Sequence, residues 1–276
     1  MTTDSPERPT VAAVFDEGAT VYARHWAPVL NRHALDLVAS VPPPEGPEAR
    51  TVLDVAAGAG TLLPALRPLA GEGGQLVALD YSAGMLALAD ASIARIQADA
   101  ARLPLRDACA DVAVYAFVLF LLPDARAALA EAARVTRPGG WLLAATWGAQ
   151  HDNGADVVVR EEIDATGSPP VELPRSDELT DSPHKMRALL EAGGFTEVTT
   201  STRPLDARFD IGSVLAMRTG FGSLGWRFTR LTPEAQERVR DRAAARLATL
   251  PPDAFTDQSE VLLTHARRKH PGRTSG

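Results

Sequence analysis

Thr51-Val-Leu-Asp54-Val-Ala-Ala-Gly58-Ala-Gly60-Thr61 decides how this chain is read. A short apolar run (Val52, Leu53, Val55) is followed by a turn rich in glycine and alanine, and then by a helix-like segment from Leu62 to Leu69. That order is how a nucleotide-binding βα unit opens. Glycines let the backbone pass close to a ligand, and the helix that follows presents N–H groups with no partner inside the helix. A dinucleotide fingerprint needs a small residue at the sixth position of G-x-G-x-x-G, where helix and strand pack closely. Counted from Gly58, that position is Leu63, so the register fails for a nicotinamide or flavin.

Outward from this turn the chain alternates. Strands are predicted over 51–56, 75–79, 94–98, 112–118 and 141–147, with helices over 62–70, 82–91 and 124–135 and a turn at Arg137-Pro-Gly-Gly140. Such alternation predicts an α/β fold with a parallel sheet covered by helices on both faces. Ahead of it, apolar residues at helical spacing from Thr10 to Val41 predict two or three helices, broken near Gly18 and Pro28, then a stiff Pro-rich linker to Pro47. Beyond Gly148 the pattern loosens: a helix near 156–165, another over 183–192, a strand over 195–203, a helical insertion over 211–250 and a last strand over 258–267. The expected division is 1–47 as lid and linker, 48–208 as core, 209–253 as helical cap, and 254–276 as final strand and tail.

Composition bounds the function. Apolar residues make up 45% and charged residues 23%, as in ordinary globular proteins, and the net charge of −7 disfavours nucleic acid as a partner. Cys109 is the only cysteine, which excludes a disulfide within the chain and a cysteine zinc cluster. The N-terminus does not read as a signal peptide, and the longest apolar run, 112–122, is too short for a bilayer. A cytoplasmic enzyme with no membrane partner and no metal is expected.

Acids stand at or after the predicted strand ends: Asp54, Asp80, Asp99 and, less clearly, Asp124. Ligands of open parallel sheets bind there, and Asp80 lies 20 residues past Gly60, the spacing at which an acid meets a ribose diol. The competing reading of Asp80 is a solvated turn residue.

Asp54-x-Ala56-x-Gly58-x-Gly60 resembles the first motif of the class I S-adenosylmethionine (SAM) dependent methyltransferases, acid-x-G-x-G-x-G. Ala56 replaces the first glycine, which is mild if its φ is negative. Leu79-Asp80-Tyr81-Ser82-Ala-Gly-Met85 and Ala98-Asp99-Ala100 are similar to the second and third motifs. The resemblance implies a Rossmann-like doubly wound sheet of seven strands, the last antiparallel, with N-terminal helices and a helical cap insertion. It implies SAM as cofactor, S-adenosylhomocysteine as product, and methyl transfer to a small, largely apolar metabolite at O, C or N, as in natural-product biosynthesis. By the same resemblance Asp80 binds ribose, Tyr81 and Met85 sandwich adenine, and Asp99 and Ala100 read its edge. Backbone near Phe117 meets the methionine portion, and Tyr22 meets its carboxylate. Met85 and Tyr22 also read as plain helix residues. The subgroup looks like the quinone-biosynthesis methyltransferases.

No base is fixed by the motifs. His25 and His151 are the candidates for one, against a bland reading as surface or packing residues. Trp26, Trp147, Phe221 and Trp226 are expected either to line an acceptor pocket or to pack the cap on the sheet. A homodimer is left open. The other classes carried are a SAM-fold protein that catalyses a non-methylating reaction or acts as a regulator, and, behind it, a nicotinamide oxidoreductase.

Overall fold

The apolar run before the glycine turn forms strand β1 (Thr51–Val55), buried at every position after Thr51. A strand covered on both faces has no solvent side, so it reads as a continuous apolar run and not as an alternation. The computed structural model describes residues 9–44, 48–148 and 154–270. In it β1 lies inside a seven-stranded sheet with β2 (Gln75–Asp80), β3 (Ala94–Gln97), β4 (Ala110–Ala116), β5 (Thr136–Trp147), β6 (Phe195–Pro204) and β9 (Glu260–Arg268). The order is β3-β2-β1-β4-β5-β9-β6. Strand β9 runs antiparallel to both neighbours and the remaining pairs are parallel, as the resemblance implies. Strand order reverses between β1 and β4, which opens a crevice at their carboxyl ends.

Helices cover both faces. Leu129 of α5 (Ala125–Val135) and Leu189 and Leu190 of α8 (Pro183–Ala192) pack on Leu53, Tyr115 and Leu142. Leu63 and Leu66 of α3 (Leu63–Ala70) and Leu30, Leu37 and Val38 of α2 (Ala27–Val38) pack on Val52, Val114 and Leu143. Helix α5 starts where a cap is available: Asp124 Oδ1 accepts from the N–H of Arg126 and of Ala127, both at 3.0 Å. This fourth acid is therefore spent on capping.

Three local expectations are corrected. Helix α1 (Val11–Val21) is not broken at Gly18; it runs through a π turn (Tyr22–Trp26) straight into α2. Gly18 serves closeness instead, since a Cβ there would meet the Phe221 ring at 2.7 Å. Helix α4 (Ala83–Leu88) stops short of residue 91 because Ala89 turns to extended backbone. Residues 137–140 lie within β5, as an excursion between the pairs Ala110–Thr136 and Val112–Trp141.

Between β6 and β9 the chain leaves the sheet through β7 (Ala207–Arg208) and returns through β8 (Thr256–Asp257), which pair with each other. The residues between form α9 (Ile211–Gly220), α10 (Gly222–Thr229) and α11 (Pro233–Leu247). Helix α6 (Gly154–Asp164), from the segment after β5, joins them. Ala155, Val158, Val159 and Ile163 share one buried cluster with Val214, Phe228, Val239, Ala243 and Leu247. Its polar edge is stitched by Glu162, buried and paired with Arg242 and Arg246, and by Asp156, paired with Arg218.

Candidate functional site

At the crevice the backbone bends sharply. Ala56 (φ +58°), Gly58 (+56°) and Gly60 (+72°) alternate in the left-handed region. Ala56 thus does not meet the condition of negative φ, and an alanine held there costs on the order of 1–2 kcal/mol. The two glycines have different work. The Gly58 N–H donates to Asp80 Oδ2 at 2.8 Å, tying the turn to the end of β2. Gly60 does not face the cavity; a Cβ there would meet Ala89 Cβ and Leu63 Cδ1, each at 2.7 Å, so its smallness lets α3 and α4 approach.

A cavity of about 380 Å³ opens over this turn, at the carboxyl ends of β1, β2 and β4. Its lining includes Val55, Ala56, Gly58, Asp80, Tyr81, Met85 and Ala98–Ala100. Val11, Phe15, Val118, Leu121, Leu122 and Pro174 add an apolar part to it. Met85 is fully buried and Tyr81 is 53% exposed at the rim. Phe117 lines the wall with φ +56°, its N–H committed to the Ala145 carbonyl at 2.7 Å.

The acids differ in use. Asp80 accepts from the N–H of Gly58 and of Ser82, each at 2.8 Å. Burial raises its proton affinity and those amides oppose the rise. Asp99 Oδ1 accepts from the Ala101 N–H at 2.8 Å and the residue lines the cavity. Asp54 does not line it. It lies behind the turn, 2% exposed, and its Oδ2 has no hydrogen-bond partner. Burial, then the Asp80 charge, pushes its carboxyl up to about 7.

Tyr22 closes the turn from above. Its Cε1 lies 3.5 Å from where a Gly58 Cβ would stand, and burial and then the charges of Asp80 and Asp54 raise its phenol further. Helix α1 is clamped at this position from two sides. Asp16 Oδ1 accepts from the Gly84 N–H at 2.7 Å and from the Ser82 hydroxyl, while Glu17 pairs with Arg230 of the cap at 3.0 Å.

Of the two expectations for the aromatics, acceptor pocket or packing, the contacts show packing. Phe221 stands 5.1 Å from both Phe15 and Tyr22, ring centre to ring centre. Trp26 and Trp147 are 6.2 Å apart, with Phe117 5.2 Å from Trp147. Trp226 lies under the Arg230 guanidinium at 3.2 Å. None of the four lines the cavity, nor does His25. His151 lies outside the described residues.

Leu121, Leu122 and Pro174 were not expected in the cavity wall. Ser176 places them: its N–H donates to the Phe120 carbonyl at 2.8 Å and its hydroxyl to that of Leu122 at 2.7 Å, which pins the Pro-rich segment over the turn after β4. No local sequence pattern marks that contact.

Residues 53–144 match a family described as a methyltransferase domain. A demethylmenaquinone methyltransferase of Renibacterium salmoninarum is 38% identical over 149 residues, 49% of this chain and 57% of that one. The chain spans about half the length of the curated relatives it matches. Among solved structures, the YcgJ protein of Bacillus subtilis aligns over 87% of this chain and 99% of its own, with a TM-score of 0.57 and 18% identity. A Haemonchus contortus phosphoethanolamine N-methyltransferase, solved with phosphomonomethylethanolamine and S-adenosylhomocysteine, aligns over 92% and 58%, with a TM-score of 0.53 and 15% identity.

Proposed function

We propose that the chain is a class I SAM-dependent methyltransferase, which binds SAM across the ends of β1, β2 and β4 and methylates a small, largely apolar metabolite; the match of residues 53–144 to a methyltransferase domain supports this reading. The observation that carries this reading is the cavity itself. Its lining joins the glycine turn, Asp80 and Asp99 to aliphatic side chains and Phe15.

The residues present suit this cofactor. Asp80 keeps lone pairs beyond the two amide bonds, enough to accept from both hydroxyls of a ribose. Asp99, Ala100 and the Tyr81–Met85 pair bound the adenine end. Asp54, behind the turn, does not line the cavity, so it is no contact of the cofactor there; it supports the turn from beneath. Leu63, at the position where a dinucleotide site needs a small residue, disfavours a nicotinamide.

SAM supplies an activated methyl group, so the chain has mainly to align the acceptor and exclude water. Val11, Phe15, Leu121, Leu122 and Pro174 serve that end, and α1, held by Asp16 and Glu17, covers it. His151 remains the proposed base for an acceptor that must lose a proton.

Calorimetry with SAM, S-adenosylhomocysteine and NAD tests the donor half. SAM and its product bind, NAD does not, and Asp80→Ala weakens SAM at least tenfold, which is about 1.4 kcal/mol or more. Unchanged affinity sinks the ribose assignment. Mass spectrometry of an apolar acceptor library with labelled SAM tests transfer; SAM binding with no methylated product favours a non-methylating SAM-fold protein.

A further inference from the structure

The cap carries two sets of contacts. One is its own core, in which α6, α9, α10 and α11 bury Val159, Ile163, Val214, Phe228, Val239 and Leu247 together. Phe221 is not part of that core. It is the single residue between α9 and α10, in extended backbone (φ −144°, ψ 152°). Its N–H donates to the Met217 carbonyl at 3.0 Å, and its carbonyl accepts from the Gly225 N–H at 3.2 Å. Both backbone groups are thus engaged, which fixes the direction in which the side chain leaves the joint. That side chain belongs to a different cluster, with Phe15 and Ala19 of α1, Tyr22, Ala59 of the glycine turn and Met85 of α4.

At this seam α1 and the joint approach closely. A Cβ on Gly18 would stand 2.7 Å from Phe221 Cδ2, and one on Gly220 2.7 Å from Val21 Cγ2, so a glycine from each side makes the approach possible. The Phe221 ring lies 5.1 Å from the Phe15 ring, edge to face, and 5.1 Å from the Tyr22 ring, tilted. Phe15 and Tyr22 line the cavity, and Phe221 does not. Tyr22 in turn lies against the glycine turn, its Cε1 3.5 Å from where a Gly58 Cβ would stand. Aromatic pairs prefer definite mutual angles, so one fixed ring restricts the other two. The Glu17–Arg230 pair also joins α1 to the cap, but its side chains are 38% and 46% exposed, and such pairs hold weakly.

We propose that Phe221 is a positioning residue for the transfer site: through Phe15 and Tyr22 the cap sets the walls of the cavity, while Phe221 itself touches neither ligand. The inference rests on the SAM reading and adds that donor affinity is governed from outside the sheet. Without the ring the cap keeps its own core, whereas Phe15 and Tyr22 gain rotamers that binding must then freeze, at a cost in affinity. A ring that only filled space would lower stability and leave the affinity of the folded protein unchanged.

The test is calorimetry of the full chain with SAM, together with thermal melts without ligand, on wild type, Phe221→Ala, Phe221→Leu and Val239→Ala. Val239, 3% exposed, sits in the cap's own cluster, which holds no residue of α1. Phe221→Ala should bind SAM about fivefold more weakly or worse, with Phe221→Leu, which refills much of the space, between it and wild type. Val239→Ala should melt lower than wild type and keep SAM affinity within about twofold. Phe221→Ala within about twofold of wild type overturns the proposal and leaves the SAM reading standing. Loss of affinity by Val239→Ala equal to that of Phe221→Ala also overturns it, because the stability of the cap then carries the effect. Wild type that does not bind SAM overturns the SAM reading, and this proposal with it. If Phe221→Ala does not fold, Phe221→Leu against Val239→Ala decides by the same comparison.

Discussion

Gly58→Ala and Gly60→Ala should fail in different ways, although both sit in one motif. At position 60 the new methyl meets Ala89 Cβ and Leu63 Cδ1, each at 2.7 Å, and Ala89 Cα at 3.2 Å, with φ at +72°. The leucine tip can rotate away, but the helix end at Ala89 cannot. Left-handed backbone costs an alanine about 1–2 kcal/mol and overpacking about 1–3, while the stiffer unfolded chain returns about 0.5. A net loss of about 2–4 kcal/mol follows. At position 58 the nearest atom is Tyr22 Cε1 at 3.5 Å, an ordinary contact, so only the φ of +56° counts against folding and the loss is about 1 kcal/mol. That methyl, however, stands on the cavity wall, and SAM affinity should fall at least tenfold. Urea unfolding followed by tryptophan fluorescence gives the stabilities, and calorimetry on the folded variants gives the affinities. Ala89→Gly, added to Gly60→Ala, should recover part of the lost stability because the two sites touch. The reasoning is refuted if Gly60→Ala stays within about 1 kcal/mol of wild type and loses SAM as strongly as Gly58→Ala.

Asp54 gives a pH prediction for the free protein. Its folded-state pKa, about 7, lies above the ordinary aspartate value of about 3.9, so its contribution to stability is fully present below pH 4 and is lost as pH rises through 7. Asp54→Asn should therefore melt higher than wild type at pH 8 without cofactor, with the gap closing toward pH 4; a gap of constant size in a melting series would falsify the burial argument. Leu121→Asp places a charge in the apolar part of the cavity lining and should lower turnover of an apolar acceptor at least tenfold, with SAM affinity within about twofold of wild type. Equal loss of SAM binding would move Leu121 to the donor end.

The inner strands of the sheet were legible because they are buried on both faces and punctuated by acids and turns; a run such as Val112–Val114 has few other uses. The acids proposed for the donor could be singled out for a related reason: Asp80 closes β2 and Asp99 stands two residues past β3. What escaped depends on contacts distant in sequence. Nothing at Gly60 says that its neighbour is Ala89, and nothing at Phe221 says that it will fill the space between Phe15 and Tyr22. The π turn at Tyr22–Trp26 replaces the expected break, and a single widened turn leaves no periodicity to read. Ala155, Val158, Val159 and Ile163 did carry a signal, an apolar stripe at helical spacing, and the part α6 plays in the cap was open to inference from it.

That helix has a consequence for the order in which the molecule assembles. During synthesis α6 emerges before β6, and its buried partners Val214, Val239 and Leu247 emerge only after it. Its apolar stripe waits uncovered for that interval, and its contacts close over long sequence separations, which slow folding. Removing α9–α11 to obtain a minimal core would leave the same stripe permanently bare. Such a truncated chain should self-associate through α6 even where its sheet folds correctly, which makes this helix the first place to add charge in any shortened form.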